Sequence, residues 1–184
     1  MSDQQTRVLV LVFDGIEEIE ALTPVDILRR AEMDVTVASV SSELSITGRN
    51  QINFSADTSI AELDPTSFDL VVLPGGPGVL QLLDNEPLRK ILVKQNQSGK
   101  RVAAICAAPK VLAKHGILEG REATSHLSVR GDLPSASEAP VVTDGNVTTS
   151  QGMGTAVEFS LELVKQLKGA TAAQDIAASI HTNF

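Results

Sequence analysis

The chain has no tryptophan, no tyrosine and one cysteine, Cys106, in 184 residues. A single cysteine cannot form an intrachain disulfide, and nothing in the sequence suggests a metal–thiolate site. Without Trp or Tyr the chain lacks the aromatic faces on which a flavin ring usually stacks, which argues against a flavin-binding electron carrier. Cationic residues are also scarce. Fifteen Lys and Arg stand against 23 Asp and Glu, a net charge of −8. That balance disfavours nucleic acid as the principal ligand, because phosphate binding needs clustered Lys and Arg. No apolar run approaches the roughly 18 residues of a membrane span. The start, Met1–Arg7, is polar and leads straight into a strand, so no signal peptide is expected. These absences point to a cytoplasmic protein in a reducing compartment, with no membrane contact.

Hydrophobic content of 42% and charged content of 21% describe an ordinary globular chain. At this length it is most simply one domain, 1–184, with room for a sizeable core. Strands and helices alternate along it. Val8–Phe13 is a continuous apolar run of the kind buried on both faces of a parallel sheet. A helix follows over about 17–33, then a strand over 35–40. Ser45–Thr47 and Ile52–Ser55 flank Gly48-Arg49-Asn50 as a small hairpin. Phe68–Leu73 is another buried strand, running into Pro74-Gly75-Gly76. Helical segments follow over 79–83 and 87–97, then the strand Val102–Ile105 and a helix through Val111, Leu112 and Lys114. Glu122–Ser125 reads as a short strand, 134–140 as a loop, and Val141–Thr143 with Val147–Thr149 as a hairpin. Helices over 155–167 and 172–180 close the chain. Such alternation with right-handed crossovers implies a doubly wound α/β sheet with ligands at the carboxyl ends of its strands. A phospho-receiver domain would need an aspartate at the end of a central strand, where Leu73-Pro74-Gly75 stands instead.

Three strand ends carry candidate chemistry: Asp14-Gly15, Gly75-Gly76 and Cys106. Cys106 lies on a strand-to-helix turn among small residues, Ala104 and Ala108. A nucleophile on such an elbow sits in a strained bend beside helix-start N–H groups, which favour a thiolate and can hold an oxyanion. The competing reading is a buried core cysteine. Ile16, Glu20, Thr23 and Ile27 fall on one helical stripe, so Glu20 stands between isoleucines while Glu17 and Glu18 point elsewhere. A carboxyl so placed holds its proton near neutral pH and can shuttle it. The alternative is a first-turn acid facing the helix dipole. His126, past Thr124-Ser125, either returns to the site or is a surface histidine. His115 and His181 are expected in solvent, and Gly152-Met153-Gly154 at a helix entry or in subunit packing.

The motifs Glu17-Glu18-Ile19-Glu20, Pro24-Val25-Asp26, Leu73-Pro74-Gly75-Gly76, Ala103 through Pro109 around Cys106, Thr124-Ser125-His126 and Thr149 through Thr155 share the order and spacing of the ThiJ/PfpI superfamily. More narrowly, the chain resembles its DJ-one/YajL-like branch over nearly its whole length. That resemblance implies a flavodoxin-like, mostly parallel sheet in a three-layer sandwich, and a homodimer. It matches the family's reactive cysteine to Cys106, its partner glutamate to Glu20 and its nearby histidine to His126. Arg30 and Arg49 match arginines near the dimer interface and site rim. The activity it implies is glutathione-independent conversion of methylglyoxal or glyoxal to 2-hydroxy acids, with deglycation of early adducts beside it. The rival role is a redox sensor or chaperone acting through oxidation of Cys106.

The expected mechanism starts with attack of Cys106 on the aldehyde carbon to give a hemithioacetal. Glu20 then moves a proton, with His126 as a second acid/base. The N–H groups of Gly75, Gly76 and Ala107 are candidates for the oxyanion. No cofactor or metal is called for. Two departures from the family matter. Ala107 stands where the protease branch has histidine, so peptidase activity is not expected. Met153 stands where several relatives have proline.

Overall fold

The computed structural model describes residues 5–64 and 67–184; most of the polar start read over Met1–Arg7 lies outside them. Among the described residues seven strands form one sheet, in the order β5-β2-β1-β6-β7-β9-β8. They are β1 (Arg7–Val12), β2 (Asp34–Ser39), β5 (Thr58–Ser59), β6 (Leu70–Leu73), β7 (Arg101–Ile105), β8 (Val141–Asp144) and β9 (Val147–Ser150). Every neighbouring pair is parallel except β8 with β9. The helices are α1 (Glu18–Arg30), α2 (Glu86–Gln97), α3 (Pro109–Lys114), α4 (Ala156–Lys168) and α5 (Ala170–Ser179). None of the described helices is long and apolar enough to cross a membrane.

Burial explains why the central strands read as unbroken apolar runs. Val8 to Val12, Leu70 to Leu73 and Val102 to Ile105 have no solvent exposure, because helices cover both faces of the sheet. The chain leaves β1 toward β2 on one side and passes from β6 to β7 on the other. Right-handed crossovers in opposite directions put α1 and α2 on opposite faces, giving three layers. Helix α1 packs on β1, β2 and α4, while α2 and α3 pack on β7. The reversal leaves a crevice at the carboxyl ends of β1 and β6, with the end of β7 beside it.

The β3 (Ser45–Thr47) and β4 (Asn53–Ser55) hairpin is a separate two-stranded sheet. It docks on the end of β1: the Gly15 N–H donates to the Thr47 carbonyl (2.8 Å), and the Thr47 N–H to Asp14 Oδ1 (2.8 Å).

Several boundaries differ from expectation. Helix α1 stops at Arg30 because Glu32 turns into the left-handed region (φ 57°) and sends the chain into β2. The 79–83 segment is part of a 3-10 helix, Pro77–Leu82. A further one spans Leu127–Asp132, and β5 is too short to carry a pattern. The strand expected over 122–125 is only a single bridge, Ala123 with Ala136. The Thr124 N–H is taken by a side chain, Thr149 Oγ1 (2.9 Å), so no backbone ladder can extend through it.

Glu17 and Glu18 do not point into solvent. Both are buried. Glu17 caps α1, its Oε2 accepting the Glu20 N–H at 2.8 Å. Glu18 lies under the β3–β4 turn and accepts both the N–H and the side-chain amide of Asn50 (2.7 and 2.8 Å). Burial works against the Glu18 carboxylate, but N–H donors from Glu18, Asn50 and Ile52 and the Asn50 amide outweigh it and hold the group below its ordinary value. His115, expected in solvent, is half-buried with Nε2 covered. Burial, then the Arg89 and Lys114 charges, lower its pKa.

Candidate active site

Cys106 follows the last residue of β7 and has φ 68°, a left-handed conformation that costs a non-glycine residue on the order of 1–3 kcal/mol. Hydrogen bonds hold the strained residue at both ends. Its N–H donates to the Ser150 carbonyl at 2.9 Å, and its carbonyl accepts the His126 N–H at 2.8 Å. The thiol is left half-buried, against the edge of the core. The N–H groups of Gly76 and Ala107 face the sulfur.

Glu20 reaches the same point from the first turn of α1. Its side chain is 2% exposed and hydrogen-bonds to the Cys106 thiol. Oε2 accepts the Gly75 N–H at 3.1 Å. Oε1 faces the turn after β9, 3.6 Å from where a Cβ on Gly152 would stand. The Met153 N–H of that turn also points at the carboxyl. Gly75 permits the approach of these groups: a Cβ there would lie 2.6 Å from Cys106 Cβ and 2.7 Å from Glu20 Oε2. Gly76 has φ 104°, and a Cβ would meet the Glu17 backbone nitrogen at 2.4 Å. The three N–H groups named as oxyanion candidates therefore divide. Gly76 and Ala107 face sulfur, whereas that of Gly75 is committed to Glu20.

Electrostatics differ from the expected acidic thiol. Burial pushes the Cys106 thiol up to about 12, with the Glu20 charge and the hydrogen bond to Glu20 adding to it. The Gly76 and Ala107 N–H groups pull the other way without prevailing. Burial also raises Glu20, to about 7. The thiol hydrogen bond works against that rise, the Glu17 charge adds to it, and the Gly75 and Met153 N–H groups oppose it. The two groups titrate as a pair. With Glu20 charged, the thiol keeps its proton. When that proton passes to Glu20, the repulsion that disfavours the thiolate is gone. The arrangement is thus a thiol with a proton acceptor matched to neutral pH.

The other candidates sit further out. His126 is exposed and caps the 3-10 turn over Leu127–Asp132. Its Nδ1 accepts the Ser128 N–H (3.2 Å) and lies 2.8 Å from Ser128 Oγ, which fixes the ring. The ring edge is 4.0 Å from the Cβ position of Gly152, at the mouth of the site. Arg49 is exposed on the β3–β4 turn, which is tied to α1's entry through its N–H to the Ile16 carbonyl (2.8 Å). Arg30 lies at the far end of α1, paired with Asp26 at 2.8 Å, and is not part of the Cys106 cluster. Sequence reasoning missed Glu17 and the Met153 N–H. Glu17 was legible as the residue before the first helical turn. A backbone donor such as that of Met153 leaves no signal in side-chain chemistry.

The raised Glu20 value has a stability consequence. Its unfolded carboxyl loses the proton near 4.5 and its folded one near 7, so stability falls as pH rises between those values. Glu20→Gln removes this titration. Between pH 5 and pH 8, urea unfolding should move in favour of the variant over the parent by on the order of 2–3 kcal/mol. A gap that does not change with pH would show Glu20 to be an ordinary carboxylate.

Residues 6–166 match the model of the DJ-1/PfpI family. The chain is 38% identical to Protein dj-1beta of Drosophila melanogaster, over 94% of this chain and 95% of the relative. It is 36% identical to a protein of Thermococcus kodakarensis named as a deglycase, covering 88% and 99%. It spans 42% of the longer Protein DJ-1 homolog B of Arabidopsis thaliana, at 38% identity over 98% of this chain. Oxidized Toxoplasma gondii DJ-1 superimposes with a TM-score of 0.94 at 33% identity, covering 97% of this chain and 100% of that one. Drosophila DJ-1beta gives 0.94 at 36% identity, covering 98% and 100%. A strained cysteine at the β7 end, a buried glutamate on α1, the match to the family's model and these likenesses lead to one conclusion: the chain belongs to the DJ-1/PfpI family.

Proposed function

We propose that this protein converts methylglyoxal and glyoxal to 2-hydroxy acids through Cys106, without glutathione, as a single unit spanning 1–184. The observation that carries the reading is the buried Glu20 carboxyl hydrogen-bonded to the Cys106 thiol. In the first step sulfur bonds to the aldehyde carbon of methylglyoxal, and the thiol proton passes to Glu20. The new oxyanion lies beside the sulfur, where the Gly76 and Ala107 N–H groups are available to it. Glu20 returns the proton to that oxygen, completing a hemithioacetal.

Glu20, now a carboxylate, next takes the proton from the former aldehyde carbon, giving an enediolate. Glu20 returns that proton to the neighbouring carbon while the hydroxyl proton passes from the former aldehyde oxygen to the former ketone oxygen, leaving the alcohol of a lactoyl thioester. The exchange is internal: the aldehyde carbon is oxidised and the ketone carbon reduced. Water then cleaves the thioester, releasing lactate and restoring the thiol. His126 at the mouth serves as a second acid/base for that hydrolysis. The same sulfur attack suits early adducts of these aldehydes, and relatives in Thermococcus kodakarensis and Pyrococcus abyssi named as deglycases support that extension.

A second reading rests on the same donors. A carboxyl that can offer O–H and two N–H groups around one sulfur also suit the oxygens of an oxidised cysteine. One similar solved structure is described as oxidized. In this reading the cytoplasmic protein senses peroxide.

A homodimer is supported by the outer face of α1 and the start of α4. Ile19, Leu22, Met153 and Val157 are exposed there. A groove between them is lined by Leu22, Asp26, Arg30 and Val157. A second copy is the occupant proposed, with Arg30 at its edge.

Three measurements test these readings. Cys106→Ser should abolish lactate formation from methylglyoxal with an unchanged circular dichroism spectrum, and Glu20→Gln should cut it at least about a hundredfold. An active, folded serine variant would end the enzyme reading. After graded peroxide, intact mass should show Cys106 stopping at sulfinate in the parent and in Glu20→Gln, which keeps a donor. Glu20→Leu should give a different product; identical products would remove Glu20 from the redox reading. Sedimentation equilibrium at micromolar concentration should give twice the chain mass, and a monomer would leave the apolar face unexplained.

A further inference from the structure

The turn after β9 touches both halves of the Cys106–Glu20 pair, and one small hydroxyl network holds it. Ser150 is fully buried at the end of β9. Its carbonyl accepts the Cys106 N–H at 2.9 Å, so its main chain fixes the strained cysteine. Its Oγ donates to the Pro140 carbonyl (2.8 Å) and stands 2.6 Å from Thr155 Oγ1. Thr155 Oγ1 in turn accepts the Gly152 N–H at 3.2 Å and contacts the Gly152 carbonyl at 2.9 Å. The Thr155 N–H closes the turn on that same carbonyl at 2.9 Å. Gly152 is therefore clamped at both its peptide groups, and the second of these peptides carries the Met153 N–H.

Met153 is the first residue of the short 3-10 helix Met153–Thr155. A first-turn N–H has no acceptor within its own helix and must find one outside. Here it meets the Glu20 carboxyl, whose Oε1 lies over the Gly152 Cβ position. We propose that Ser150 and Thr155 are positioning residues: their hydroxyls hold the Met153 N–H on Glu20 and so set the pH at which the Cys106 site becomes competent.

This rests on the reading of Glu20 as proton partner of Cys106, and not on the identity of the aldehyde. The charged and titratable groups that face Glu20 are Glu17 on α1 and Cys106 at the β7 end, with the His126 ring at the mouth. The N–H groups facing it come from Gly75 after β6 and from Met153. Glu17 favours the protonated carboxyl, and the two N–H groups favour the carboxylate. Removing one donor delays loss of the first proton from the pair, whichever partner is taken to carry it.

The test is the pH dependence of Cys106 alkylation by iodoacetamide, followed by intact mass, which needs no aldehyde turnover. Met153→Pro removes the N–H, and Met153→Leu controls for the change in the exposed side chain; proline is tolerated at the first position of a helical turn, and Gly152 before it is extended (ψ −167°). Met153→Pro and Thr155→Val should move the alkylation midpoint up by roughly half to one pH unit. Met153→Leu and Thr155→Ser, which keep the N–H and the hydroxyl, should hold the parent's midpoint. A folded Met153→Pro with the parent's midpoint overturns the proposal, as does a shift in Thr155→Val alone. Should Thr155→Val not fold, Met153→Pro against Met153→Leu decides. A parent that shows the shift in these variants but makes no lactate upholds this inference and rejects the substrate reading.

Discussion

The contact between the Glu20 carboxyl and the Cys106 thiol is what the rest of the crevice is built around. Burial holds both protons above the ordinary range; the charge on Glu20 pushes the thiol up further, while the thiol's hydrogen bond draws the Glu20 carboxyl partway back. Such a pair persists only if its surroundings leave room for it and supply donors. Gly75 supplies the room, since any Cβ there would collide with both partners. N–H groups from three separate chain segments supply the donors: Gly75 and Gly76 after β6, Ala107 after β7 and Met153 after β9. Each segment is a loop at a strand's carboxyl end, where a parallel sheet leaves its backbone groups unpaired.

The same contact explains why acidic residues crowd the start of α1. Glu17, Glu18 and Glu20 are all buried within one turn, an arrangement that costs desolvation at every carboxylate. The three are satisfied in three different ways. Glu17 accepts an N–H of its own helix, and Glu18 accepts the Asn50 donors of the β3–β4 turn. Glu20 alone turns to a titratable partner. Glu18 therefore fixes the hairpin over the helix start, and Glu17 fixes the turn from which Glu20 projects. The helix entry is shaped by the chemistry at its third residue as much as by helix propensity.

Strain at Cys106 has a similar logic. A left-handed cysteine persists because Ser150 and His126 hold its two peptide groups. Both partners belong to segments far along the chain, so the bend is an outcome of sheet assembly and not of local preference. His126 contributes through its main chain as well as through a ring at the mouth, and its backbone role is the more direct of the two.

The sequence by itself determined the layered α/β fold. Unbroken apolar runs at β1, β6 and β7 permit no other environment than a sheet covered on both faces. It also determined which strand ends carry chemistry, since Asp14-Gly15, Gly75-Gly76 and Cys106 each stand where an apolar run stops. The 3.6-residue spacing from Ile16 to Ile27 was enough to place Glu20 on a buried stripe. Tertiary structure decided what periodicity does not encode. It buried Glu17 and Glu18, the latter under a hairpin some 30 residues away in the chain. It reduced the expected strand at 122–125 to one bridge, because the Thr149 hydroxyl takes the Thr124 N–H. It reversed the expected acidity of the thiol, since burial and the charge on Glu20 outweigh two N–H groups. Residue types announce which groups can react; only packing fixes which backbone donors face them, and those donors set where the protons lie.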